Sequence, residues 1–168
     1  MLSTKPLPAI VGALFAAGLA CGQDAPLTFD GEWAVTHSCE GATGPYAERC
    51  AQGMRDVFHL SLLQQGRHVC GYHLATGHLG NRIDEGDLAG PGPSVMGTAT
   101  GNVVTLTFKS ARTGELGQAT LIKDGDTIVW HVTQPLREDN WFPDDAVLKK
   151  QSAAPGHPAM SCEAAPHP

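Results

Sequence analysis

Between residues 27 and 133, turn signals divide the chain into short stretches in which apolar and polar side chains alternate. Phe58, Leu60 and Leu62 alternate with His59 and Ser61. Val104, Leu106 and Phe108 alternate with Val103, Thr105 and Thr107, and Ile128, Trp130 and Val132 with His131 and Thr133. A period of two is the signature of a strand with one buried face. The punctuation is equally regular: Gln65-Gly66-Arg67, Gly101-Asn102 and Asp124-Gly125-Asp126 are hairpin turns. Strands are expected at residues 32–36, 56–63, 68–74, 81–88, 94–100, 103–108, 118–123 and 127–133. No segment before Leu136 carries an apolar stripe of helical period. With 20 Gly and 12 Pro in 168 residues, the composition suits such a turn-rich chain.

Consecutive hairpins without a long crossover make an antiparallel meander, and a meander of this size removes its open edges by closing. The expected fold is therefore all-β: an up-and-down meander of seven or eight strands over residues 27–133, closed into a small barrel. Residues 134–168 are read as an extension. Within it, Pro143-Asp144-Asp145 starts a short helix ending by Lys150, and an irregular tail follows.

Residues 1–20 carry one charge, Lys5, followed by a short apolar run from Ala9 to Leu19. That run is too short to cross roughly 30 Å of hydrocarbon as a helix and reads as an export signal. The stretch Ala17-Gly18-Leu19-Ala20-Cys21 resembles a bacterial lipobox, with Gly18 where a bulky aliphatic is usual. The resemblance implies acylation of Cys21, a tether over residues 21–26, and a membrane-held protein of the cell envelope, on the outer membrane given Gly22. The alternative is ordinary cleavage, leaving a secreted or periplasmic soluble protein. Five cysteines leave one over in an oxidising compartment. With Cys21 used as the anchor, Cys39, Cys50, Cys70 and Cys162 suffice for two disulfides. Cys39 with Cys50 is the favoured local pairing, which leaves Cys70 for Cys162, and the other two pairings stay open.

A net charge of −6 argues against nucleic acid as a partner. No G-x-S-x-G elbow, phosphate loop, H-E-x-x-H helix or C-x-x-C pair is present. A non-catalytic domain without a cofactor is expected. A three-residue Gln65–Arg67 loop would set His59 opposite His73, the start of a metal site lacking its remaining ligands. The bland reading is a solvated pair, so no metal is expected. Asp84, Glu85 and Asp87 around Gly86 have hard oxygens suited to Ca²⁺ but not EF-hand spacing, and read as a charged turn.

Gly31-Glu32-Trp33 at the first strand resembles the G-x-W motif of the lipocalins. This resemblance implies an eight-stranded barrel with Trp33 at its closed base beneath an arginine, Arg137 or less fittingly Arg112, and an apolar pocket for a small hydrophobic ligand. The alternation itself nominates Phe58, Leu60, Leu62, Tyr72, Leu106, Phe108, Ile128 and Trp130 as inward-facing, alongside Trp33. The second functional reading is a protein-binding module, because small disulfide-braced barrels on lipid anchors include the bacterial lysozyme inhibitors. Loss of Lys5 with the leader takes the charge from −6 to −7, which suits a cationic hydrolase. The nearest stretch to an inhibitory motif is Lys109-Ser110-Ala111.

Overall fold

A computed structural model describes residues 27–152 and 160–162. The leader, Cys21, the tether and most of the tail lie outside them. Among the described residues, nine strands and one α-helix form in the order β1 (Gly31–Thr36), α1 (Gly44–Ala51), β2 (Val57–Gln65), β3 (His68–Gly77), β4 (Arg82–Glu85), β5 (Val95–Thr100), β6 (Val103–Lys109), β7 (Leu116–Asp124), β8 (Thr127–Gln134) and β9 (Asp145–Lys150). The sheet runs β2-β1-β9-β8-β7-β6-β5-β3-β4, and β2 also pairs with β3. Eight strands thus close an antiparallel barrel, and β4 is an additional strand on β3.

Three hairpins turn on two residues each, with Gly66, Gly101 and Gly125 at φ +62°, +61° and +55° in the first turn position. That left-handed conformation is cheap for glycine alone. It also corrects the expected β2–β3 register. Gln65 pairs with His68, so His59 lies opposite Leu74 and Leu60 opposite His73. The one-residue slip exchanges the two faces of β3. Tyr72 leaves the lumen for the outer face, and His73 enters it. The inner face of β3 is Val69, Gly71, His73 and Ala75, small or polar residues that no apolar alternation would nominate.

The expected C-terminal helix is instead β9, which pairs with both β8 and β1. Ala146 and Leu148 alternate with Val147 and Lys149, and without this strand β8 and β1 would both be open edges. The barrel therefore extends to Lys150, well past residue 133. The expected loop between Cys39 and Cys50 contains α1, where Pro45 fits the first helical turn. Cys39 is bonded to Cys50 and Cys70 to Cys162. Two disulfides mark an extracytoplasmic protein.

One end of the barrel is closed by Trp33, whose indole N–H donates to Phe29 O at 2.8 Å. Its ring is covered by Lys123 and Lys150, with Nζ atoms 4.9 and 5.5 Å from the centroid. Lysines thus take the place expected of an arginine. Arg137 is exposed at the other end beside Glu115, and Arg112 lies over Trp141. In the lumen, Phe58, Leu60, Leu62, Leu106, Phe108, Ile128 and Trp130 are all buried. From the loop between β8 and β9, Phe142 drops among them, its ring centroid 4.6 Å from Phe108 and 4.5 Å from His73. Trp130 Nε1 donates to Pro143 O at 2.8 Å and holds that loop down.

Removing this aromatic plug should be expensive. Phe142→Ala is expected to lower unfolding free energy by about 3 kcal/mol, read from the denaturant midpoint with the m-value unchanged.

Candidate functional site

The site sits where the ladder along β3 is interrupted. β4 pairs with Leu74–Gly77 and β5 with His68–Gly71, so the two lie end to end along one edge of β3. Between them the chain makes an excursion over residues 86–94, opening with a 3-10 turn at Gly86–Leu88. Only Tyr72 and His73 of β3 face this gap, and side chains replace the missing ladder. Ser94 Oγ accepts from the backbone N–H of His73 at 3.3 Å and lies 2.9 Å from His73 Nδ1. His73 Nε2 is 3.2 Å from Asp84 Oδ1. The two ring nitrogens thus bridge Ser94 and Asp84, with Nε2–H donating to the carboxylate.

Asp84 is fully buried and also bridges across to the β6–β7 connection. Ser110 Oγ donates to Oδ2 at 2.5 Å, and Ala111 N–H to Oδ1 at 2.7 Å. Burial pushes its carboxyl toward the neutral form, but the bonds from His73, Ser110 and Ala111 outweigh burial and hold its pKa below the ordinary value. The entry to β4 is held in the same way. Asp56 accepts from Tyr46 Oη, Thr76 Oγ1 and the backbone N–H groups of Leu79 and Gly80, at 2.9–3.2 Å. Here too burial opposes ionisation and the bonds prevail. They stabilise a turn in which His78 and Leu79 take φ +54° and +55°, a strained choice for side chains with a Cβ.

Hydroxyl, imidazole and carboxylate in one line are the groups of nucleophilic catalysis. In this arrangement Ser94, His73 and Asp84 are 3, 2 and 0% exposed. A Cβ on Gly86 would stand 2.0 Å from Ser94 Oγ, so the backbone of the turn is seated directly on the hydroxyl. The constellation fixes the turn to the barrel.

What faces outward is a notch of about 240 Å³, lined by His59, Ser61, Tyr72, His73, Leu74, Glu85 and Asp87. Behind it, Glu32 receives Ser61 Oγ–H at 2.8 Å and lies 2.9 Å from His59 Nε2. On the turn itself Leu88 is 72% exposed, and Ile83 on β4 is 52% exposed.

Several expectations are corrected here. His59 is on the outer face and His73 on the inner and buried, so they do not form the expected solvated pair; no cluster of three metal-ligating side chains occurs among the described residues. Asp84 is buried, so it is not part of the expected charged turn with Glu85 and Asp87. Ser110 is buried against it and is not offered to a partner. Phe142, Ser94 and the structural role of Asp84 were not identified from the sequence, in which no spacing rule connects them. No protein-family model matches the chain, and neither does any curated protein.

The depressed Asp84 carboxyl makes a signed prediction. A carboxylate whose folded pKa lies below its unfolded value contributes stability that is complete above the unfolded value, near 4, and is lost as pH falls through the folded one. Asp84→Asn is therefore expected to cost about 3 kcal/mol at neutral pH. Its penalty relative to the wild type should shrink on acidification below about pH 4, as measured by urea unfolding at a series of pH values.

Proposed function

We propose that this protein is an exported, non-catalytic module that binds another protein through its outer surface, inserting the Glu85–Asp87–Leu88 turn into a basic partner. The observation that supports this reading most is Leu88. It is a large apolar side chain, 72% exposed, on a turn whose base is fixed by buried hydrogen bonds. A preorganised, exposed apolar tip is what a binding hot spot requires, since little entropy is lost when it docks. Glu85 and Asp87 flank the tip, and Tyr72 and Leu74 line the notch beside it. Together they suit an apolar contact rimmed by arginine or lysine. The net charge of −6 favours encounter with a cationic partner.

An inhibitor of a cationic cell-envelope hydrolase, similar in action to the lysozyme inhibitors, fits these features. Acylation of Cys21 would hold the module at the membrane surface where such hydrolases arrive. A small hydrophobic ligand in the lumen is the less favoured reading, because it would have to displace Phe142 from among Phe58, Phe108 and Trp130.

The test is inhibition of a cationic lysozyme, together with titration by the apolar fluorophore N-phenylnaphthylamine. The expected result is dose-dependent loss of lysozyme turnover, relieved by salt, with no saturable uptake of the fluorophore. Leu88→Asp and Asp87→Lys should each raise the inhibition constant by about tenfold or more while the melting temperature stays unchanged. Stoichiometric uptake of the fluorophore without any effect on lysozyme would transfer the function to the lumen.

A further inference from the structure

On the far side of the ring from the acidic turn lies the outer face of β7, β8 and β9. Around the eight-strand barrel, β8 is four strands from β3 in either direction. Register pairing places Val103, Ile122, Val129 and Val147 in one row across β6 to β9. Ile122, Val129 and Val147 are 42, 37 and 53% exposed. The adjacent row is Asp124, Thr127 and Lys149. Asp124 and Lys149 therefore flank β8 at the same height with opposite charge. Neither has an ion-pair partner among the described residues.

We propose that this face packs against the same face of a second copy of the chain, around a two-fold axis running along β8. A rotation about that line sets Val129 against the second copy's Val129, and Ile122 against the second copy's Val147. It also sets Asp124 against the second copy's Lys149, and each off-axis contact occurs twice. An isologous interface needs a surface that is its own complement. An acid and a base equidistant from a central apolar residue meet that condition, whereas an unrelated partner imposes no such symmetry. The contact is about three strands wide, at the small end of specific interfaces, below roughly 1,200 Å² in total. The dimer should accordingly dissociate on dilution. Because β3 lies opposite β8, both acidic turns point away from the axis, and a dimer displays them in opposite directions. Two divergent turns suit bridging two partner molecules better than gripping one. The inference does not depend on what those turns bind.

Sedimentation velocity over a dilution series tests it. The chain carries Cys21→Ser, so that an added Val129→Cys supplies the reactive thiol. Without the Val129 change, a monomer–dimer equilibrium is expected that shifts to monomer in Asp124→Lys and in Lys149→Asp. It should return when the two charge reversals are combined, which separates a broken contact from a misfolded chain. Val129→Cys should form a covalent dimer under mild oxidation, since the residue sits on the axis. A monomer at every concentration up to the near-millimolar range overturns the proposal. So does a dimer indifferent to Asp124→Lys that does not crosslink through Val129→Cys.

Discussion

The carboxylate of Asp84 stands where backbone pairing runs out. β4 has β3 on one side and no strand on the other, so its free edge would be an unpaired row of amides. Asp84 is the bridge across that gap, bonded to His73 on the lumen side and to Ser110 and Ala111 on the β6–β7 connection. Desolvating an isolated carboxylate costs several kcal/mol, and hydrogen bonds to a charged group return about 1.5–3 kcal/mol each. Three donors are enough to reverse the effect of burial, as the lowered pKa records. The net stabilisation from such a balance is modest. Its structural consequence is larger, because three separate segments are pinned to one point.

The lumen follows the same logic of local substitution. β3 lines it with Gly71, His73 and Ala75, which leave space that neighbouring strands do not fill, and Phe142 occupies that space from the loop after β8. The His73 imidazole has a polar side and an apolar face. Its nitrogens serve Ser94 and Asp84, while its face lies against Phe142. At the opposite end, the stems and ammonium groups of Lys123 and Lys150 lie over Trp33, so cations close the base.

The barrel was legible because its determinants are local. The alternation at Phe58–Leu62, Val103–Phe108 and Ile128–Val132, with glycine at each turn, defines the strands without reference to anything distant. The register of β2 on β3 was not legible, because it depends on a choice between two- and three-residue turns. Apolar side chains argued for the longer one, whereas Gly66 and a polar network contributed by residues 84, 94 and 110 decide for the shorter. β9 was mistaken for a helix for a related reason: Asp144-Asp145 after Pro143 is a fair helix start, and only the open edges of β8 and β1 require a strand there. The site was least legible, since Ser94, Asp84 and Ser110 come from three segments with no spacing rule to connect them.

These features join into one mechanical unit, and that bears on how the protein works. The plug touches His73, His73 holds Ser94 and Asp84, and Ser94 seats Gly86 at the base of the exposed turn. A ligand entering the lumen would have to move Phe142, and the disturbance would reach the turn within three contacts. A chain that used its lumen would gain from keeping these parts independent. One that presents Leu88 and Asp87 to a partner gains from coupling them, because each packed aromatic then limits the freedom of the turn before it binds. The packed interior and the braced turn are thus consequences of the same contacts, and the proposed recognition at the surface rests on both.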